Sequence, residues 1–179
     1  MPAQQAQTLA HDFSKVYKVN DRCFVGLPGL ASDTQTLADK FRFRVNLYKL
    51  REERDISPKT FATMASMTLY EKRFGPFFVE PIVAGLEGPN HEPFICSMDL
   101  IGAVCFANDF HTGGTAGEAM QGICESLWRP NMEPDELFEV AAQCLLAGTD
   151  RDCPSGWGGI VHVITPTEII TKTLKGRMD

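Results

Sequence analysis

The sequence has no long hydrophobic run and little excess of positive charge anywhere along its 179 residues. No segment reaches the roughly 18 consecutive apolar residues of a membrane span, and residues 1–10 lack the basic region and apolar core of a secretory signal. Lys and Arg total 17 against 23 Asp and Glu, which gives a formal net charge of -6. Because phosphate binding needs a basic patch, we predict no nucleic acid and no membrane among the partners.

Cysteine spacing typical of metal sites is also missing. None of the six cysteines forms a C-x-x-C pair, and no histidine lies at a zinc-finger distance; the positions are Cys23, Cys96, Cys105, Cys124, Cys144 and Cys153. Most lie in apolar runs, which favours reduced, buried thiols in an intracellular protein. A disulfide framework is the alternative, although a chain of this length forms a core without one.

General motifs for catalysis are absent as well. The sequence has no P-loop, no G-x-G-x-x-G after a strand, no H-E-x-x-H and no G-x-S-x-G. His162 lies inside an apolar strand, so we interpret it as a structural histidine rather than a ligand or a base. His91 and His111 lie in polar turns and are expected to be exposed.

What the sequence does contain is a series of strands and helices in paired blocks. Helical spacing predicts four helices, whose starts are marked by Ser32 with Gln35, Ser57 with Pro58, Thr115 with Glu118, and Pro134. Runs rich in apolar residues predict strands over residues 14–19, 22–27, 77–86, 93–100, 103–108, 159–164 and 168–174.

The order of these blocks, ββ αα βββ αα ββ, lacks the βαβ alternation of a parallel sheet. It predicts an α+β fold, a four-layer αββα sandwich in which two antiparallel sheets are flanked by helix pairs. We expect one domain, residues 1–179, in which residues 1–11 are irregular or extended.

Several stretches resemble one protein family. Residues 29–33, a strand end that runs into a helix, are similar to the glycine-to-aspartate signature of proteasome subunits. A non-catalytic class of beta-type subunit is closely matched, in the same order along the chain, by residues 46–50, 69–76, 94–102, 125–139 and 173–179. On these stretches the chain is identified as a member of the 20S proteasome beta-type family, which has the αββα fold of the Ntn hydrolases, N-terminally shortened here.

The resemblance also implies which catalytic groups to look for. Active members begin, after processing, with a threonine whose hydroxyl is the nucleophile and whose free amine helps to move the proton. An aspartate and a lysine on their first two strands assist. This sequence begins with Met1 and Pro2, and those strands have no counterpart ahead of Asp12. We therefore expect the nucleophile, the lysine and the first aspartate to be absent, and no catalytic residue to remain.

One part of the family's catalytic apparatus is present. Asp152 and Ser155 match the R-D-x-x-S-G motif that supports the threonine amine in active subunits. At the position of a further supporting serine stands Gly113, which has no hydroxyl, and Thr115 is interpreted as a helix cap. Our interpretation is that Asp152 and Ser155 shape a loop.

The same loop implies a cation site by resemblance. The matching ligands are the backbone carbonyls of Thr149, Asp152 and Ser155, joined by the C-terminal carboxylate of Asp179 on a subunit across the rings. Oxygen ligands suit a hard ion such as Mg²⁺. No cofactor is expected to be required.

The function implied by the resemblance is structural. We expect a non-catalytic beta subunit, placed with other beta-type and alpha-type subunits in a stacked-ring hetero-oligomer of the cytoplasm and nucleus. That complex degrades unfolded, usually ubiquitin-tagged, proteins. One alternative is a threonine-type endopeptidase subunit whose N-terminal nucleophile is missing from this sequence. A second is a free-standing binding protein that no longer assembles.

Overall fold

The computed structural model describes Ala10 and residues 12–177, which form seven strands and four helices. They divide into two compact units. The five-strand unit comprises Lys15–His111 with Ile164–Glu168, and the two-strand unit is built on Thr112–Val163 and the segment that begins at Ile169. The single domain stays a prediction. The expected irregular N-terminus, residues 1–11, lies outside the described residues except for Ala10.

The sheet of the five-strand unit is antiparallel throughout, and its strands lie in chain order. Short turns join the first strand to the second, the third to the fourth and the fourth to the fifth, as neighbouring antiparallel strands allow. A longer segment, residues 27–81, contains two helices and connects the second strand to the third. The strands are β1 (Val16–Asn20), β2 (Cys23–Gly26), β3 (Ile82–Glu87), β4 (Glu92–Met98) and β5 (Val104–Ala107).

Two helices complete this unit, α1 (Ala31–Glu52) and α2 (Pro58–Tyr70). Their apolar positions recur at helical spacing, so each helix buries one face. The rings of Phe41 and Phe61 meet edge to face with centroids 5.4 Å apart. The fully buried core around them includes Leu37 of α1, Leu69 of α2 and Val83 of β3.

Two predictions for this unit are wrong. The strand predicted over residues 77–86 begins only at Ile82, because Pro81 has no N–H to donate to a ladder. The predicted cap of α1 is also absent: the helix begins at Ala31, behind Leu30, without a side-chain hydrogen bond. By contrast, Ser57 accepts a hydrogen bond from the Thr60 N–H at 3.3 Å and caps α2 as predicted.

The two-strand unit contains α3 (Gly117–Leu127), α4 (Pro134–Thr149), β6 (Gly158–Ile164) and β7 (Ile169–Lys175). Proline stands at the start of α4, as predicted. The short connection between α3 and α4 makes them an antiparallel helical hairpin. Buried residues in this unit's core are Ala142, Val161 and Val163, with Phe138 and Leu145 packed against them.

The two antiparallel sheets and four helices confirm the predicted α+β class. Strand bounds agree with the prediction to within one or two residues outside residues 77–81. Among the described helices, none is long and apolar enough to cross a membrane.

Candidate functional site

Three polar side chains of the two-strand unit meet where α3 begins and where the loop after α4 turns. The Thr115 hydroxyl donates a hydrogen bond to Asp152 Oδ2 at 2.5 Å. The Ser155 hydroxyl donates to the same oxygen at 2.6 Å, and the two hydroxyl oxygens lie 3.4 Å apart. We call these three residues the polar tether, because they join the segment before α3 to the loop between α4 and β6.

The local backbone explains why these side chains converge. After α4 ends, the Asp152 N–H donates to the Thr149 carbonyl at 3.3 Å, and the Ser155 N–H donates to the Asp152 carbonyl at 3.1 Å. These two successive turns bring Ser155 back over the Asp152 side chain. On the other side, Gly114 has a left-handed φ of 86°, which glycine adopts without strain. This turn sets Thr115 at the entrance of α3.

The predicted role of Thr115 as a helix cap is therefore wrong. The helix α3 follows Ala116 as its N-cap and has no side-chain cap, because the Thr115 hydroxyl already donates to Asp152. The Thr115 hydroxyl instead joins the segment before α3 to the loop after α4. The sequence did carry a signal for this role, since Thr115 is the nearest hydroxyl residue beyond the flexible Gly113-Gly114 pair.

The geometry limits what the polar tether can do chemically. Both hydroxyl protons point to one carboxylate oxygen, so Asp152 acts as a shared acceptor. The nitrogen of Thr115 lies in a peptide bond and cannot serve as the free amine that an N-terminal threonine supplies. The arrangement is suited to fixing the conformation of the loop after α4. This is the role that the sequence motif predicted for Asp152 and Ser155. Its exposed oxygen lone pairs can still accept a hydrogen bond from water or an ammonium group.

The same loop is compatible with the predicted cation. The carbonyls of Thr149 and Asp152 each accept one backbone N–H, and a carbonyl oxygen has a second lone pair. With the Ser155 carbonyl they offer oxygen ligands of the kind that Mg²⁺ prefers. Side chains do not add a rival site, since the described residues contain no group of three or more His, Cys, Asp or Glu able to hold a metal. Asp179 lies outside the described residues.

The histidines do not extend this site. His162 is half-buried, and its Nδ1 lies 2.8 Å from the Thr171 hydroxyl on β7, in agreement with a structural role. Burial lowers the pKa of His162. His111 is exposed as expected, but the expectation for His91 is wrong. That residue is half-buried, with a left-handed φ of 55° and an enclosed Nδ1 that has no hydrogen-bond partner.

Comparison with known proteins gives consistent matches along the chain. The family model described as proteasome subunit matches residues 2–164. The chain is 58% identical over 175 residues to proteasome subunit beta type-3 of Dictyostelium discoideum, 56% to that of Picea mariana and 51% to that of Drosophila melanogaster. Each match covers 98% of this chain and 85% of the relative.

All three relatives are named beta type-3 subunits. Residues 46–50, 69–76 and 125–139 resemble the same class of beta-type subunit. The α+β architecture, with two antiparallel sheets and four helices, is consistent with the Ntn-hydrolase-like sandwich of that family. The family forms a protease complex. From the matched length and the identity, the chain belongs to the proteasome subunit family, as a beta-type member.

Proposed function

We propose that this chain is a non-catalytic, structural beta subunit of the 20S proteasome core particle, of the beta type-3 class. It would support ubiquitin-dependent and other intracellular protein degradation in the cytoplasm and nucleus. The observation that carries the proposal is an identity of 51 to 58% with beta type-3 subunits over 98% of the chain. Such similarity over nearly the whole length favours the same position in the same particle.

The chemistry of the polar tether supports the non-catalytic part of the proposal. A threonine protease needs a hydroxyl and a free amine at one place. The hydroxyls of Thr115 and Ser155 both donate to Asp152 of the motif, and neither residue has a free amine. Gly113 leaves the further supporting position without a hydroxyl.

Exposed apolar side chains on the five-strand unit support the assembly part. Phe74 is 93% exposed, and Leu50 on α1 is 80% exposed. Phe43 on α1 is also exposed, as are Met67 and Tyr70 on α2. Apolar surface of this extent is typical of protein interfaces. We propose other beta-type subunits and alpha-type subunits as the partners that cover it, in stacked rings.

Native mass of the particle that contains the chain tests the assembly. A tagged full chain would be expressed in eukaryotic cells, purified through the tag under native conditions and weighed intact. We expect a large particle in which alpha-type and beta-type subunits accompany the chain. Recovery of the chain from these cells only as a free monomer, without other subunits, would instead support the free-standing binding protein and reject the structural subunit.

An epoxyketone that captures both a hydroxyl and a free amine tests whether this chain is non-catalytic. The purified particle would be treated with it and the subunit masses compared before and after. We expect an adduct on active subunits and none on this chain, since its internal threonines have no free amine. An adduct on this chain would favour the threonine endopeptidase alternative.

For the loop after α4, we propose a structural Mg²⁺ held by the carbonyls of Thr149, Asp152 and Ser155, with Asp179 contributing its carboxylate. The cation would supply fixed positive charge that orders the loop, and no chemistry on a substrate. A high-resolution structure of the particle decides the matter through distances. Six oxygens at about 2.1 Å indicate Mg²⁺, whereas fewer and longer contacts indicate water.

A further inference from the structure

We propose that Cys124 on α3 and Cys144 on α4 form a dithiol site, which a small-molecule disulfide oxidises to an intramolecular disulfide. The inference goes beyond the structural role proposed above and rests on the packing of one helical hairpin. Both residues are free thiols. Cys124 is half-buried and Cys144 is buried, so the pair lies at the inner side of the hairpin with one member reachable from solvent.

The register of the two helices places these cysteines opposite each other. Gly148 on α4 is so close to α3 that a Cβ added there would lie 2.3 Å from Met120 Cγ. The helices are antiparallel, so one turn forward from Met120 on α3 corresponds to one turn back from Gly148 on α4. Those two positions are Cys124 and Cys144.

The close approach at this level favours a disulfide between the helices. A disulfide needs Cα atoms within about 7 Å, which is unusual between helices unless small residues line the contact. Gly148 and Ala116 supply that condition, since the position of a Cβ on Gly148 is 3.7 Å from the Ala116 Cβ. Burial, and after it the neighbouring Cys144 thiol, raise the pKa of Cys124 to about 12, in agreement with two thiols in proximity.

The remaining cysteines provide no equivalent pair within the five-strand unit. Cys23 on β2 and Cys96 on β4 are separated by strand β3, so their backbones lie about 9.6 Å apart, twice the usual strand spacing. Cys105 on β5 lies opposite Ser97, one residue from Cys96. Neighbouring residues on a strand face opposite sides of a sheet, so Cys96 and Cys105 point away from each other.

The reaction balances with one co-reactant, a small-molecule disulfide such as oxidised glutathione. The half-buried Cys124 loses its proton to water, and its thiolate attacks the disulfide. A mixed disulfide forms and one small thiolate leaves. Cys144 then loses its proton and attacks the Cys124 sulfur, which releases the second small thiolate. Two protein thiols are oxidised to one disulfide, and one small disulfide is reduced to two thiols, which take up the two protons.

The test uses the full chain in its native assembly, incubated with oxidised glutathione. Free thiols are then alkylated under denaturing conditions, and the chain is digested without reductant for mass spectrometry. We expect a linked peptide that joins Cys124 to Cys144 and that disappears on reduction. Because the thiolate attacks, its rate of formation should rise about tenfold per pH unit near neutrality. The exposed Cys105 and Cys153 should carry single glutathione adducts.

Cys124→Ala and Cys144→Ala should each abolish the linked peptide, whereas the matched control Cys105→Ala should retain it. Cys124→Ala should also leave Cys144 as a free thiol, because the first attack is lost. If a variant fails to fold, the native chain still decides through its linked peptide. The proposal is overturned if Cys124 and Cys144 stay unlinked while exposed cysteines react, or if the rate of linkage does not change with pH.

Discussion

The two units of this chain bury very different amounts of apolar surface. In the five-strand unit, a five-stranded sheet and two helices enclose fully buried side chains such as Phe61, Leu69 and Val83. In the described part of the two-strand unit, the core cluster has three buried members, Ala142, Val161 and Val163. Since a two-stranded sheet is marginal by itself, this unit must rely on helix packing and polar contacts where the other relies on its core.

The two units also use an aspartate at a turn in different ways. Asp99, after β4, accepts hydrogen bonds from the backbone N–H groups of Ile101 and Ala103 at 3.0 and 2.8 Å. Asp152 instead accepts two side-chain hydroxyls, of which one comes from a distant segment. The first aspartate closes a local turn, and the second connects two segments of the chain.

The largest expected effect comes from removal of the central ring of the five-strand core. Phe61 is fully buried and contacts Phe41, so Phe61→Ala should lower the free energy of unfolding by about 3 to 5 kcal/mol. Phe74→Ala, at a side chain that is 93% exposed, is the control and should change it by less than about 0.5 kcal/mol. Urea unfolding of the purified chain measures both. Equal losses of unfolding free energy in the two variants would mean that Phe61 does not belong to the core.

A second effect should come from the close helix contact of the two-strand unit. A Cβ at Gly148 would meet Met120 Cγ at 2.3 Å, so we expect Gly148→Ala to destabilise by about 1 to 2 kcal/mol, because overpacking outweighs the helix propensity gained with alanine. Gly122→Ala, also on a helix but with nothing within 4 Å of its Cβ, should stabilise by up to about 1 kcal/mol through helix propensity.

A double variant sharpens this result. When Met120→Ala is added to Gly148→Ala, the clash is removed, so the two losses should sum to more than the loss of the double variant. Urea unfolding of all four forms gives the coupling. Strict additivity would show that Gly148 does not face Met120, and would weaken the register on which the facing cysteines depend.

A third, smaller effect concerns the polar tether. Asp152→Ala should cost about 0.5 to 1.5 kcal/mol, because two hydroxyls that solvent can still reach lose a charged acceptor. Amide hydrogen exchange should then speed up both in residues 113–117 and in residues 150–156. Asp99→Ala is the matched comparison and should speed exchange around its own turn alone. Thr115→Ser should keep the protection of both segments and Thr115→Val should lose it, because only serine retains the hydroxyl.

Sequence patterns predicted the elements of both units well, but two of the predicted helix caps are wrong. The prolines at the starts of α2 and α4 and the Ser57 cap of α2 act on neighbouring residues alone, so the sequence predicted these helix starts. Ser32 and Thr115 matched the same local pattern, yet neither caps its helix. The Thr115 hydroxyl is taken by Asp152, 37 residues away in the chain, and a local pattern carries no information on such a distant partner.

The candidate site was predictable only in part for the same reason. The R-D-x-x-S-G motif located Asp152 and Ser155, because their hydrogen bond spans three residues. The contact of Thr115 with Asp152 was not predicted, because it depends on how the left-handed Gly114 turns the chain. Whether Cys124 faces Cys144 depends on the register of the two helices. Packing at Gly148 sets that register, and the spacing of residues along the sequence does not reveal such packing.

The smallest predicted effect is a pH dependence that belongs to the two-strand unit. Burial lowers the pKa of His162 below its ordinary value of 6.5, so the unfolded chain binds more protons than the folded chain as pH falls through and below that value. His162 therefore favours folding fully above about pH 6.5, and this contribution is lost at lower pH. The effect should be small because the ring is half-exposed and solvent screens it. Unfolding free energies of wild type and His162→Gln, measured from pH 8 to about pH 5, should converge as pH falls. His111→Gln, at an exposed position of the five-strand unit, should follow wild type throughout. If the difference between wild type and His162→Gln stays constant with pH, the imidazole does not titrate differently on folding, and the predicted pH dependence is wrong.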